Sequence, residues 1–182
     1  MIETARLKLI PCELAHFEAM LRDENELAGL LQVSLAKDWL GFEAAREAMP
    51  PSYQYLKSNP SALGWWTYLF VHTEDRALIG LGGYRGVPDS NGMVEIGYSI
   101  APGYRGRGLA SEAAAGMIDY AFSHTHVMRV DAHTLPEANP STRVLQKVGM
   151  KYVGTDCDPD DGEVWHWRLE REDYESRPAS SL

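Results

Sequence analysis

Apolar and charged residues alternate from Ala5 to Ile10 (ARLKLI), the pattern of a strand with one buried face, and Pro11 is expected to end it. From Glu13 to Leu31 the period lengthens. Leu14, Phe17, Met20 or Leu21, Leu27, Leu30 and Leu31 make a helical stripe. A second helix is predicted over Lys37 to Met49, where Trp39, Leu40, Phe42, Ala45 and Ala48 recur and Pro50-Pro51 close it. A short helical turn over Ser52 to Lys57 precedes Asn59-Pro60. The pattern then changes to strands. Trp65 to His72 is aromatic and β-branched, Thr73 to Arg76 is a turn, and Ala77 to Tyr84 returns as a hairpin. Gly80, Gly82 and Gly83 in that strand point to a bulge or a close backbone contact. After a turn over Pro88 to Gly92, Met93 to Ile100 forms the third strand of a meander.

Beyond Ile100 come Pro102, a turn rich in Gly and Arg (Gly103 to Gly108), and the strong helix LASEAAAGMIDYAF, which buries Leu109, Ala113, Met117, Ile118, Ala121 and Phe122. Val127 to Leu135 is predicted to run parallel to Met93–Ile100, closing a right-handed β-α-β unit. Asn139 caps a further helix, with Pro140 in its first position, Val144, Leu145 and Val148 inward and Gly149 at its end. Met150 to Asp156 and Glu163 to Glu170 form a closing hairpin around an acidic loop. The fold class is α+β: a mixed, mostly antiparallel central sheet with one parallel β-α-β crossover. Residues 1–175 form a single domain, and the small polar tail 176–182 is expected to fray.

Composition narrows the function. A length of 182 residues suits one domain with a real core. The net charge of -9 argues against nucleic acid or an anionic membrane as partner and is compatible with a cationic substrate. Cys12 and Cys157 make neither a disulfide framework nor a metal-ligand spacing, so a reducing, cytoplasmic setting is expected. The start MIETARLKLI lacks the basic and apolar regions of a signal peptide, and the apolar run around Ala62 to Val71 is too short to span a bilayer. Six histidines are scattered without an H-x-x-x-H spacing. Asp156-x-Asp158-x-Asp160 fails as an EF-hand loop because the glycine comes one place late at Gly162, Pro159 interrupts, and Trp167 stands at position twelve. No metal is expected. The acidic run reads as a solvated loop, with attraction of a cationic acceptor as the alternative. Trp65, Trp66, Trp165 and Trp167 are assigned to sheet packing, with one or two free to line an acceptor site.

The glycine turn is the candidate site. A strand, a tight turn and a helix N-terminus present unpaired N–H groups and the positive end of a helix dipole, which suits phosphate. Gly103 and Gly108 have P-loop spacing, but Leu109 and Ala110 follow where Lys and Ser/Thr are required. Gly106-x-Gly108 starts a dinucleotide fingerprint whose third small position is Ser111, with Asp131 roughly 20 residues on; only one strand–helix–strand unit is present to carry it. The third pattern is R-x-x-G-x-A, formed by Arg105, Gly108 and Ala110. A surface turn ahead of a core helix is the plain alternative.

The element order, the R-x-x-G-x-A turn and the segment NPSTRVLQKVGM together resemble the GNAT N-acetyltransferases, and EIGY…AP-x-YRGRGLA more narrowly resembles the RimJ/RimL-like branch. The likeness covers nearly all of Ala5 to Arg171. It implies a sheet with helices on both faces and acetyl-CoA as acetyl donor. The pyrophosphate would lie on the amides of Arg105, Gly106, Arg107, Gly108, Leu109 and Ala110, with the two arginine side chains near the phosphates. The pantetheine arm would add along Tyr98, Ser99 and Ile100, in a gap where Glu95–Ile100 and Val127–Leu135 splay near a bulge, and Asn139 would contact the cofactor or serve only as a helix cap. Glu95 is the candidate general base, acting through water, or the anchor of the substrate ammonium. An N–H near Ser99 or Ile100 would polarise the thioester carbonyl. Leu145 stands where the family has its acidic tyrosine; the RimL-like branch has a Ser of an N-x-S segment near the sulfur, and the resemblance implies Ser141 as its match, donating a hydrogen bond to the leaving thiolate, with a helix N-terminal role as the alternative. The acceptor would be a primary amine, on a small molecule or a protein N-terminus, and a homodimer is an expectation carried by the resemblance alone. The missing tyrosine keeps a non-catalytic acyl-CoA sensor as the alternative.

Overall fold

The computed structural model describes residues 1–159 and 162–177. Its elements are β1 (Ile2–Glu3), β2 (Leu7–Pro11), α1 (Leu14–Arg22), α2 (Glu24–Leu31), β3 (Ser34–Leu35), α3 (Glu43–Glu47), α4 (Met49–Ser58), β4 (Thr67–His72), β5 (Ala77–Tyr84), β6 (Met93–Ile100), α5 (Leu109–Ser123), β7 (Arg129–Thr134), α6 (Pro140–Lys147), β8 (Lys151–Asp158), β9 (Gly162–Glu170) and α7 (Arg171–Glu175). The strands follow the order β1-β2-β4-β5-β6-β7-β9-β8. Along that path only β6 and β7, joined by α5, are parallel. This is the mixed, mostly antiparallel α+β sheet with one crossover that the pattern predicts. The two-residue strand β3 adds a short parallel contact to β5 at Ser34↔Ala77 and Leu35↔Leu78.

Side-chain alternation on the central strands feeds two cores. On β4, Leu69 and Val71 meet Phe17, Leu27, Trp39 and Leu56 of the N-terminal helical region. Tyr68 and Phe70 turn the other way, into the core that holds Leu109, Met117 and Ile118 of α5 and Leu145 of α6. Each fully buried side chain of this size contributes about 1.5–3 kcal/mol.

The N-terminal half departs from the pattern in two places. The single helix expected over 13–31 breaks at Asp23, whose extended backbone (φ -159°, ψ 124°) ends α1 while its carboxylate caps α2 by accepting from Asn25 N at 2.9 Å. The break rotates the stripe, leaving Leu21 and Leu30 exposed. The helix expected over 37–49 is confined to α3, because Asp38 (φ 52°) and Gly41 (φ 86°) are left-handed. Trp39 is buried instead by that irregular segment, with Nε1 donating to Glu24 Oε2 at 2.9 Å. Pro50 and Pro51 do not end a helix; they lie in the first turn of α4, where a missing N–H costs no bond. Of the tail expected to fray, Ser176 and Arg177 are described. Arg177 Nη2 donates to Val148 O at 2.7 Å; residues 178–182 lie outside the described residues.

One clasp ties the start of the sheet to the crossover helix. Glu112, in the first turn of α5, accepts from Thr4 Oγ1 and Arg6 N, both at 2.6 Å, and pairs with Arg6 Nη2 at 2.7 Å. Arg6 Nη1 reaches on to Arg107 O at 3.0 Å. Burial acts to raise the Glu112 pKa, but the hydrogen bonds from Thr4 and Arg6 outweigh it and hold it below the usual carboxylate range. Glu112→Ala should therefore lower stability by about 2 kcal/mol, read from urea unfolding at neutral pH. Because the folded pKa is depressed, that difference should be full above pH ~5 and shrink as pH falls through the folded value. A difference independent of pH would show that the carboxylate charge is not what holds the clasp.

Candidate active site

β6 and β7 pair only at Met93↔Arg129, Val94↔Val130 and Glu95↔Asp131. Beyond Glu95 they part: β6 follows β5 to Ile100, and β7 follows β9 to Thr134. The expected bulge is not in β6, whose register against β5 runs without a shift; the irregularities fall at Phe70/Val71 in the β4–β5 pairing and at Tyr152/Gly154 on β8. The strands separate because each keeps a different partner. Arg85 N donates to Glu95 O (3.0 Å) and Ala101 N to Ile79 O (2.7 Å), so the odd-numbered residues of β6 bond toward β5. By alternation, Ile96, Tyr98 and Ile100 turn their backbone groups into the gap. Ser99 N–H is thereby removed as a donor to the gap, leaving Ile100 and Tyr98. Ser99 Oγ is buried and donates to Leu40 O at 2.9 Å.

A cavity of about 520 Å³ occupies the gap. Tyr98 and Ile100 form one wall, and Thr134, Asn139, Ser141 and Val144 the other. Phe42 and Val164 add apolar surface. The tryptophans thought able to reach an acceptor site do not line it: Trp65 packs on Tyr84, Trp66 stacks on Tyr55, and Trp165 and Trp167 pack on Tyr152.

At one end the cavity meets Arg105 and Ala110. Gly106 and Gly108 adopt φ of 75° and 78°, a conformation open to glycine at little cost, and Gly108 is the N-cap of α5. The first backbone bond of the helix runs from Glu112 N to Gly108 O at 3.0 Å, so the amides of Leu109, Ala110 and Ser111 are the orphan donors of this terminus. Residues Pro102 to Arg107 are exposed apart from half-buried Tyr104. The arginine side chains also serve other ends. Arg105 Nε donates to Ile100 O (2.9 Å) and Nη2 to Gly41 O (3.1 Å), while the Arg107 guanidinium lies over the Tyr104 ring at 4.9 Å. Main-chain amides, the helix dipole and the two exposed guanidinium charges together make this corner attractive to an anion.

At the other end lies Glu95, with Oε1 2.9 Å from Arg85 Nε and 3.2 Å from His133 Nδ1. His133 and His166 are opposed across β7 and β9, with ring centroids 4.7 Å apart. His133 Nε2 lies 3.1 Å and His166 Nδ1 3.0 Å from the same oxygen, Asp156 Oδ2. His166 Nε2 lies 2.8 Å from Asp131 Oδ2, and Asp131 is also held by Arg168 through two bonds of 3.0 Å. Burial acts to lower the His133 pKa, but its bonds to Asp156 and Glu95 outweigh that and raise it. The histidines that look scattered in sequence thus include a cross-strand pair 33 residues apart. Period-2 alternation in both strands, once their pairing is known, is the signal that would have found it.

Asn139 caps α6: Oδ1 accepts from Thr142 N (3.0 Å) and its own N–H donates to Thr142 Oγ1 (3.1 Å). The cap leaves the Asn139 Nδ2 amide without an acceptor among the described residues. Tyr98 Oη donates to Ser141 O across the cavity at 3.4 Å, and burial pushes its pKa up. Leu145 is 1% exposed and belongs to the core, so its position does not open onto the cavity.

A protein-family model, "Acetyltransferase (GNAT) domain", matches residues 6–151. Among curated proteins, "Uncharacterized N-acetyltransferase YjdG" of Bacillus subtilis (strain 168) is 28% identical over 150 residues, covering 82% of this chain and 89% of that protein. Among solved structures, the aminoglycoside acetyltransferase AAC(6')-Ib in complex with ribostamycin and coenzyme A superposes with a TM-score of 0.69 at 19% identity, covering 96% of this chain and 99% of that one. RimL, described as a ribosomal L7/L12 α-N-protein acetyltransferase in complex with coenzyme A, superposes at 0.65 and 15% identity, covering 93% and 97%.

Proposed function

This chain belongs to the acetyltransferase (GNAT) family and is an N-acetyltransferase; from that premise we propose that it transfers acetyl from acetyl-CoA directly to a cationic primary amine in the cytoplasm, as one domain of the RimJ/RimL-like branch. The observation that carries the reading is the parted pair β6/β7: one continuous cavity runs from orphan helix amides to a half-buried carboxylate. The coenzyme A present in the AAC(6')-Ib and RimL structures supports the choice of donor. Among the described residues no helix is long and apolar enough to cross a membrane.

In this reading the diphosphate rests on the amides from Gly106 to Ala110. The pantetheine arm pairs with the gap-facing backbone of Tyr98 and Ile100 as an added strand, and Asn139 Nδ2 bonds the arm from the far wall. The Ile100 N–H polarises the thioester carbonyl. A lysine-like amine has a pKa near roughly 10.4 and must lose a proton before it attacks. Glu95 anchors the ammonium and takes that proton, directly or through water; Arg85 and His133 hold the carboxylate in place. The new C–N bond forms at the carbonyl carbon as the C–S bond breaks; the Ser141 hydroxyl donates a hydrogen bond to the leaving thiolate, which is then protonated by the proton that Glu95 took, relayed through water. Tyr98 Oη is a second donor, since its raised pKa keeps it protonated. Glu95, Asp156 and Asp158 make the acceptor end acidic, which favours a cationic acceptor, on a small molecule or a protein N-terminus. The packing of Leu145 supports a second reading, an acyl-CoA sensor without turnover.

Incubation with acetyl-CoA and a panel of amines and N-terminal peptides, followed by mass spectrometry and thiol release, separates the two: acetylated product is expected, and thermal stabilisation by acetyl-CoA with no product would leave the sensor. Glu95→Gln should lower kcat at neutral pH on the order of 10²-fold with coenzyme A affinity near normal. An unchanged rate would remove Glu95 from the chemistry. Gly108→Val should cost at least about 1–2 kcal/mol of coenzyme A affinity, since a branched side chain strains the left-handed backbone and covers the amides. Isothermal titration giving wild-type affinity would move the diphosphate elsewhere.

A further inference from the structure

At the Glu95 end of the cavity, the face of β7–β9 turned away from Val130 and Ala132 holds a cluster in which the acetyl-transfer reading gives His166 and Asp131 no role. Its arrangement obeys an accounting rule. A neutral imidazole has one N–H and one lone pair. Here all four ring nitrogens of His133 and His166 face carboxylate oxygens: Glu95 Oε1 and Asp156 Oδ2 for His133, Asp131 Oδ2 and Asp156 Oδ2 for His166. With neutral rings, one nitrogen of each would oppose a carboxylate lone pair to lone pair. With each N–H on the outer nitrogen, toward Glu95 and Asp131, both conflicts fall on a single spot, since the two inner nitrogens meet the same oxygen, Asp156 Oδ2. A cation at that spot resolves it.

We propose that His133 Nε2, His166 Nδ1 and Asp156 form a binding site for one divalent transition-metal ion of the zinc class. The three ligand atoms lie within 4.8 Å of one another, and the two N–O separations of 3.0 and 3.1 Å are about 0.3 Å shorter than the ~3.3–3.4 Å edge of a tetrahedron with ~2.0–2.1 Å bonds, so small side-chain shifts bring the set around an ion. The outer shell is also in place. A metal-bound histidine gives its other N–H to a carboxylate, which fixes the ring and raises its basicity; Glu95 stands at His133 Nδ1 and Asp131 at His166 Nε2, the latter braced by Arg168. A His₂Asp set of mixed N and O donors suits Zn²⁺ over Mg²⁺ or Ca²⁺, which take oxygen ligands. With three protein ligands, a fourth position stays open to water. The Asp156 carboxylate is half exposed, so an ion can enter. The occupied site would make Glu95 the hydrogen-bond acceptor of a metal-bound histidine. The inference does not depend on the acetyl-transfer reading.

The test is calorimetric titration of the full chain with Zn²⁺ alone, with X-ray absorption at the zinc edge. One ion per chain is expected, with imidazole back-scattering from two rings. His166→Ala and the near-isosteric Asp156→Asn should weaken binding at least about tenfold, and Asp131→Asn about 10–100-fold through the outer shell. His124→Ala/His126→Ala and Cys157→Ser should bind as wild type, which excludes the other histidine pair and the exposed thiol. Thermal unfolding without zinc checks that Asp156→Asn and His166→Ala are folded before uptake is compared. No zinc uptake by the wild type, or equal uptake by folded Asp156→Asn and His166→Ala, overturns the site and leaves the cluster as a network of protons.

Discussion

Everything functional in this chain depends on two neighbouring strands ceasing to be neighbours. Parallel pairing of β6 and β7 stops after Glu95, in the middle of a sheet, and leaves the gap-facing backbone of Tyr98 and Ile100 without a ladder partner among the described residues. Unpaired backbone groups at a buried edge are costly unless something satisfies them. Part of the answer is built in: Arg105 Nε closes the carbonyl of Ile100. The rest of the edge faces a cavity whose far wall is the N-terminal turn of α6. An extended ligand with its own amides completes such an edge, so the site follows from how the sheet fails to close.

The same constraint shows which parts of the molecule a sequence can reveal. Periodicity located β5 and β6 to the residue, and the cap chemistry of Asn139, Pro140 and Gly149 marked both ends of α6, because these signals are local. The N-terminal half was less legible. Leu14 to Leu31 keeps a helical rhythm straight through Asp23, and only the carboxylate's turn onto Asn25 N shows that one helix is two. Trp39 and Leu40 fit a helical stripe equally well, yet they are buried by a segment whose backbone is left-handed on either side of them. The cross-strand pair His133 and His166 was hidden for another reason. Its geometry comes from the β7–β9 register, which no spacing within one strand encodes.

Charge is distributed to suit the same division of labour. The chain carries a net charge of -9, yet the glycine turn gathers two arginines beside a helix N-terminus. Attraction there comes from oriented amides and guanidinium groups, whose charges do not change over the physiological pH range. The acceptor end, by contrast, is built from titratable groups: Glu95, Asp156 and His133 in contact, with Arg85 and Arg168 at the margins. One end is therefore fixed electrostatically, while the other changes with its occupant.

The C-terminal end of β6 and the glycine turn are tied together by the segment that defeated the helix prediction. Leu40 O accepts from Ser99 Oγ, and Gly41 O accepts from Arg105 Nη2, so consecutive carbonyls of one loop hold the end of β6 and the start of the glycine turn. A side chain at Gly41 would collide with Ser99 Oγ, which explains why the contact is made by bare backbone. Phe42 then follows directly, exposed and lining the cavity. Arg105 thereby acquires a structural role as well. Its guanidinium bonds Ile100 O on one side and Gly41 O on the other, fixing the strand edge, the turn and the N-terminal region in one frame. A helix in this stretch would bind its carbonyls internally and could not brace the site, so the irregular backbone is the form that the cavity requires.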